Sequence, residues 1–173
     1  PIPPPGGAAP VGGFIVRDLP LLVCAAFVST AATFATPALA DEAYVEGTGG
    51  VIWNRGDTNA VAGAAVGYDV DLGERFFVGA EGLAEKTLAD DTRVVWGVGG
   101  RVGARVLPGA KLYAAANWQT KDCRECGSAV GLSTGWEQDL NEQVYAKLEY
   151  KHVLIGDGEP DADMVAVGLG YKF

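Results

Sequence analysis

Beyond its first 40 residues the chain has no apolar run near the ~18 residues that a membrane-crossing helix needs. Histidine is almost absent, with His152 alone, and there are three cysteines. One histidine and no second cysteine pair leave a four-ligand zinc site without ligands. Basic residues are also scarce: 13 Lys and Arg face 22 Asp and Glu, for a net charge of −9. That balance argues against nucleic acid, whose phosphates want a basic face, and against charge-driven docking on anionic lipid. No segment keeps a helical period, and 25 glycines would penalise helix.

What is present begins with a segment of processing character. Residues 1–15 are a Pro/Gly-rich extension without an initiator Met, expected to reflect an over-extended or truncated gene start. Residues 16–40 run from Arg17 through an apolar stretch, Leu19 to Phe34, to Ala38-Leu39-Ala40 and then Asp41-Glu42. Charge, apolar core and a small-residue site before acid is the order of a secretory signal, with cleavage expected after Ala40. Cys24 follows Val23 and not a small residue, so lipidation is not expected. Arg17 and Asp18 cancel, so the whole negative charge stays with residues 41–173, enough for one domain.

That remainder alternates at period two in eight runs: Ala43–Trp53, Ala60–Leu72, Phe76–Thr87, Thr92–Val106, Ala110–Thr120, Ser128–Gln138, Gln143–Leu154 and Met164–Phe173. Alternate side chains of a strand point to opposite faces, so repeated strict alternation predicts β structure. In the last run Val165, Val167, Leu169, Tyr171 and Phe173 share one face, against Met164, Ala166, Gly168, Gly170 and Lys172. Tight connections are expected at Gly73-Glu74, Pro108-Gly109 and Asn141-Glu142. Longer, charged ones are expected at Asn54–Asn59, Ala89–Asp91, Lys121–Gly127 and Gly156–Asp161. Short turns at one end and longer loops at the other suit an up-and-down membrane barrel with both termini on the turn side.

Two face assignments compete. A soluble barrel would bury the bulky parity, and a membrane barrel would turn it to lipid. The polar parity is glycine-rich with sparse, balanced charge: Glu46, Asp69, Glu81, Glu85, Glu137 and Glu149 against Arg93, Arg101, Arg105, Lys111, Lys147 and Lys151. Such a set can pair inside a narrow barrel, where a lone charge would be costly. On the bulky parity Trp53, Trp96 and Trp118 sit toward the loop end. Tyr68, Phe76, Trp136, Tyr171 and Phe173 sit toward the turn end, which makes two interfacial girdles. A closed barrel also satisfies its backbone in hydrocarbon. The reading is therefore all-β: an eight-stranded antiparallel transmembrane barrel.

With its leader, its eight alternating strands and its ending Val-Gly-Leu-Gly-Tyr-Lys-Phe, the chain resembles the opacity-protein and outer-membrane-protein-A-like barrels of Gram-negative bacteria over residues 41–173. The resemblance implies residence in the outer membrane among lipid and lipopolysaccharide. It also implies recognition by the barrel-assembly machinery through Leu169, Tyr171 and Phe173. The short loops depart from the family's adhesins, so an adhesin role is not carried over. No peptidoglycan-binding domain is expected beyond the barrel.

Other motifs read more plainly. Cys123 and Cys126, in an exported CxxC, are expected to form a small loop disulfide; the βαβ setting of a redox motif is absent. His152 falls on the lipid parity with no Ser in its own strand, which argues against the Ser-His-acid chemistry of lipid A-modifying barrels. Arg55-Gly56-Asp57 matches a cell-attachment tripeptide but reads as turn chemistry. Gly97-x-Gly99-Gly100-x-x-Gly103 has no following helix to make it a dinucleotide loop. The expected function is structural or surface, in a monomer without cofactor or enzymatic activity and with an interior closed by side chains. A small-solute or ion porin is the alternative, and lipid A modification the next.

Overall fold

The computed structural model describes residues 41–120, 127–156 and 160–173, and in them eight strands form one closed sheet. The strands are β1 Glu42–Asn54, β2 Asp57–Leu72, β3 Phe76–Thr87, β4 Val95–Leu107, β5 Ala110–Gln119, β6 Ala129–Asp139, β7 Val144–Ile155 and β8 Ala162–Lys172. Each pairs antiparallel with its sequence neighbours, and β1 pairs with β8 from Tyr44↔Lys172 to Trp53↔Asp163. Phe173 N donates to Ala43 O just beyond that seam. Closure leaves no edge strand with unpaired backbone.

The period-two pattern fixes the two faces. Val66, Phe76, Trp96, Val98, Val167, Leu169 and Phe173 point outward and are exposed. Tyr44, Glu46, Asp69, Arg101, Tyr145 and Lys151 point inward and are buried. Bulk outside and charge inside reverse the order of a soluble protein.

Two connections differ from the sequence expectation. The first outer loop, expected at Asn54–Asn59, is a two-residue turn at Arg55-Gly56, with Asn54 opposite Asp57. Both turn residues take positive φ, 32° and 117°. A type I′ hairpin turn, which matches strand twist, requires this; the turn chemistry read at Arg55-Gly56-Asp57 is present, and the strands reach further into the connection than expected. The strand expected from Thr92 starts only at Val95. Thr92 Oγ1 instead donates to Thr87 O (2.6 Å) and Ala89 O (3.0 Å), folding the β3–β4 connection on itself. At the opposite end the turns are tight. Gly109 takes φ 70° beside a register shift between Arg105 and Leu107. Asn141 Oδ1 accepts from Gln143 N and Val144 N, an Asx turn into β7.

Candidate functional site

The barrel has one candidate site, its interior, and the sequence builds it in two layers. The turn-side half is charged and aromatic. Arg101 lies at its centre, with Nε and Nη2 donating to the two oxygens of Asp69 at 2.8 and 2.6 Å. Its Nη1 donates to Glu137 Oε1 at 2.6 Å. The guanidinium stacks 4.1 Å above the Tyr44 ring, with Phe77 and Tyr113 at 5.5 and 5.2 Å. Planar, weakly hydrated Arg suits such a bidentate, ring-flanked position. Around it Lys111 pairs with Glu42 at 2.6 Å and lies 3.6 Å from Asp69. Lys172 pairs with Asp139 at 2.6 Å and with Glu42 at 3.3 Å. Arg105 pairs with Asp71 at the rim, 2.8 Å.

Further along the axis Lys147 pairs with Glu46 and approaches Glu149 at 3.4 Å. Lys151 pairs with Glu85 and lies 3.8 Å from Glu149. Tyrosine hydroxyls complete the carboxylates: Tyr44 donates to Glu81, Tyr145 to Glu46 and Tyr113 to Glu149. Almost every charge therefore has a partner, the condition under which buried charge is tolerable. The exceptions are two buried acceptors, Glu137 Oε2 and Asn117 Oδ1, which have no donor.

The glycines explain how so much side chain fits. Each inward aromatic stands directly opposite a glycine on the adjacent strand: Tyr44↔Gly67, Phe77↔Gly103, Tyr113↔Gly135 and Tyr145↔Gly170. A Cβ at any of those glycines would lie 2.1–2.5 Å from the ring. The rings lie across bare backbone, which converts an eight-stranded lumen from merely narrow to filled.

The loop-side half sets an apolar cluster beside the Lys151–Glu85 pair and Gln119. Val61, Met164 and Ala166 form a buried cluster with Ile52 packed on it, and Leu83 and Val153 are buried as well.

Of the residues expected inside, Glu46, Asp69, Glu81, Glu85, Arg101, Arg105, Lys111, Glu137, Lys147, Glu149 and Lys151 all belong to this interior set, with Arg105 at the rim. Arg93 does not. It precedes β4 and is exposed, because the strand that would have turned it inward begins two residues later. The sequence reading missed Glu42, Asp71 and Lys172, which lie on the inward parity at the strand ends, and it missed the aromatic–glycine pairs. Parity was available for both; the cross-strand register was not.

On the outside Trp53, Trp96 and Trp118 lie at the loop end of their strands. Tyr68, Phe76, Trp136, Tyr171 and Phe173 lie at the turn end. Tyr171 and Phe173 pack edge to face at 5.1 Å, and Tyr171 Oη accepts from Gln143 Nε2. His152 is outward and half-exposed, its Nδ1 2.8 Å from Asp163 Oδ1, which also accepts from Tyr150 Oη at 2.6 Å. Cys123 and Cys126 lie outside the described residues, as do residues 1–40, where a secretory signal was expected. Among the described residues no group of three His, Cys, Asp or Glu side chains is arranged to hold a metal.

A family model described as the outer membrane protein beta-barrel domain matches residues 21–173. No curated protein matches the chain in sequence. Among solved structures the chain is similar to the N-terminal β-barrel domain of Pseudomonas aeruginosa OprF, at 14% identity over 76% of this chain and 97% of that one, with a TM-score of 0.58. It is similar to the attachment invasion locus protein of Yersinia pestis, at 12% identity over 77% and 98%, TM-score 0.56. Neisserial surface protein A matches at 12% identity over 80% and 100%, TM-score 0.55. At such identities the likeness carries the fold alone.

Proposed function

The chain belongs to the outer membrane protein β-barrel family, and on that footing we propose that it is a closed structural barrel, which seals its own lumen and presents short loops at the cell surface. Outer-membrane residence comes with the family. The proposal adds export after cleavage near Ala40, a monomer among lipid and lipopolysaccharide, and assembly through Leu169, Tyr171 and Phe173.

The observation that carries the reading is the two-layer filling of the interior. An ion entering from the turn side meets charges already paired around Arg101 and Lys147. Displacing one leaves its partner buried and bare, which costs several kcal/mol. An ion entering from the loop side passes Val61 and Met164 and meets the Lys151–Glu85 pair, which is again already satisfied. What remains is a mechanical role in the envelope, with no reaction assigned. His152 is bonded to Asp163 and not to a hydroxyl or thiol nucleophile among the described residues, which supports a non-enzymatic reading.

A deletion strain tests this. Loss of a sealing barrel raises uptake of a bulky apolar dye and sensitivity to detergent, with small-solute uptake unchanged. Slower uptake of small solutes in that strain would make the chain a porin instead.

A further inference from the structure

The interior is not filled to its outer mouth. A cavity of about 70 Å³ lies at the loop end of the lumen, room for roughly five waters. Its walls differ. Ile52, Val61, Val153, Ile155 and Met164 form an aliphatic side, while Glu85, Gln119 and Thr120 form a polar side. We propose that this cup is a binding site for a small neutral amphiphile: an alicyclic or aliphatic body that ends in a hydroxyl.

Three observations select that chemistry. An aliphatic wall facing an unfilled space forfeits dispersion contacts that an apolar body would restore. The polar side is incompletely bonded. Gln119 Nε2 reaches Glu85 Oε2 only at 3.4 Å, at the long limit of a hydrogen bond. A ligand hydroxyl seated beside this long contact would donate to the carboxylate oxygen and accept from the amide in its place. Finally, the charge is already spent: Glu85 Oε1 holds Lys151. No net charge is left to select an ion, so a neutral ligand is favoured over a charged one. The ligand would stop above the paired charges, so the site is independent of whether the lumen conducts.

The test uses the full barrel in lipid nanodiscs, with labelled Ile, Val and Met methyl groups, titrated with cyclohexanol. Saturable shifts are expected at Ile52, Val61 and Met164, while the outward Val98 and Val167 shift linearly as the probe partitions into lipid. Gln119→Ala, which leaves the aliphatic packing intact, should weaken binding about five- to tenfold, the loss of one hydrogen bond. Ala162→Phe should fill the cup and remove saturation. The proposal is overturned by linear shifts at the three cup methyls, or by unchanged affinity in either folded variant. Nuclear Overhauser contacts from residues 121–126 to Val61 and Met164 in the unliganded barrel would overturn it too, since the chain would then fill its own cup.

Discussion

Arg101 holds both carboxylate oxygens of Asp69 across a strand that lies between them. The two residues sit on β4 and β2, and on β3 each is opposite the same residue, Gly79. A Cβ on Gly79 would lie 2.1 Å from Asp69 Oδ1. The ion pair and the glycine are therefore one device, and each should fail without the other.

Arg101→Met leaves Glu137 buried without its cation and Asp69 with only Lys111 at 3.6 Å, and should cost about 3–5 kcal/mol. Gly79→Ala should cost about 1–3 kcal/mol, the overpacking range. Equilibrium unfolding in urea from lipid vesicles measures both. The triple variant Arg101→Met, Asp69→Asn, Glu137→Gln should recover most of the first loss. A single Arg101→Met variant within 1 kcal/mol of the parent would show that the network carries little.

The glycines divide into two kinds, and substitution should separate them. At Gly170 a Cβ meets the Tyr145 ring at 2.1 Å, whereas at outward Gly82 it meets nothing within 4 Å. Gly170→Ala should destabilise the barrel by displacing that ring and its bond to Glu46. Gly82→Ala should be neutral or stabilise by about 0.4–1 kcal/mol through the unfolded state. The same unfolding curves decide it; equal losses at both sites would count against the aromatic–glycine fit.

Face assignment is tested at Val167, which is outward and mid-strand on β8. Val167→Arg should cost about 2–4 kcal/mol if the side chain lies near the bilayer midplane. Refolded in detergent and then in lipid, the variant should lose more in lipid. An indifferent substitution would mean that this face meets water.

The Phe173 side chain is exposed and packs edge to face on Tyr171. Phe173→Ala should therefore change the stability of refolded protein little. In cells it should sharply lower the amount of heat-modifiable barrel, because the residue acts in assembly. Parallel losses in both assays would assign it an ordinary packing role.

The sequence revealed the strands and their faces because a one-residue error in parity would have put Arg101 or Lys147 among Val98 and Leu148. It did not reveal register. Turn chemistry was legible at Arg55-Gly56 but not that pairing would run to Asn54 and Asp57, and Arg93 looked like an interior residue because parity continues on paper past the point where β4 begins. The network was readable as a set of charges. Which charge meets which depended on strands that are not neighbours and come to face one another only across the closed lumen, as in the reach of Lys147 on β7 to Glu46 on β1 and of Lys151 to Glu85 on β3.

The most direct measurement of the sealed interior is single-channel recording of the purified, refolded barrel in a planar bilayer. With the charged layer around Arg101 and the apolar layer around Val61 and Met164 both intact, the bilayer should stay silent under applied voltage in molar salt. Discrete, reproducible openings from the parent protein would contradict the closed lumen and make it a pore.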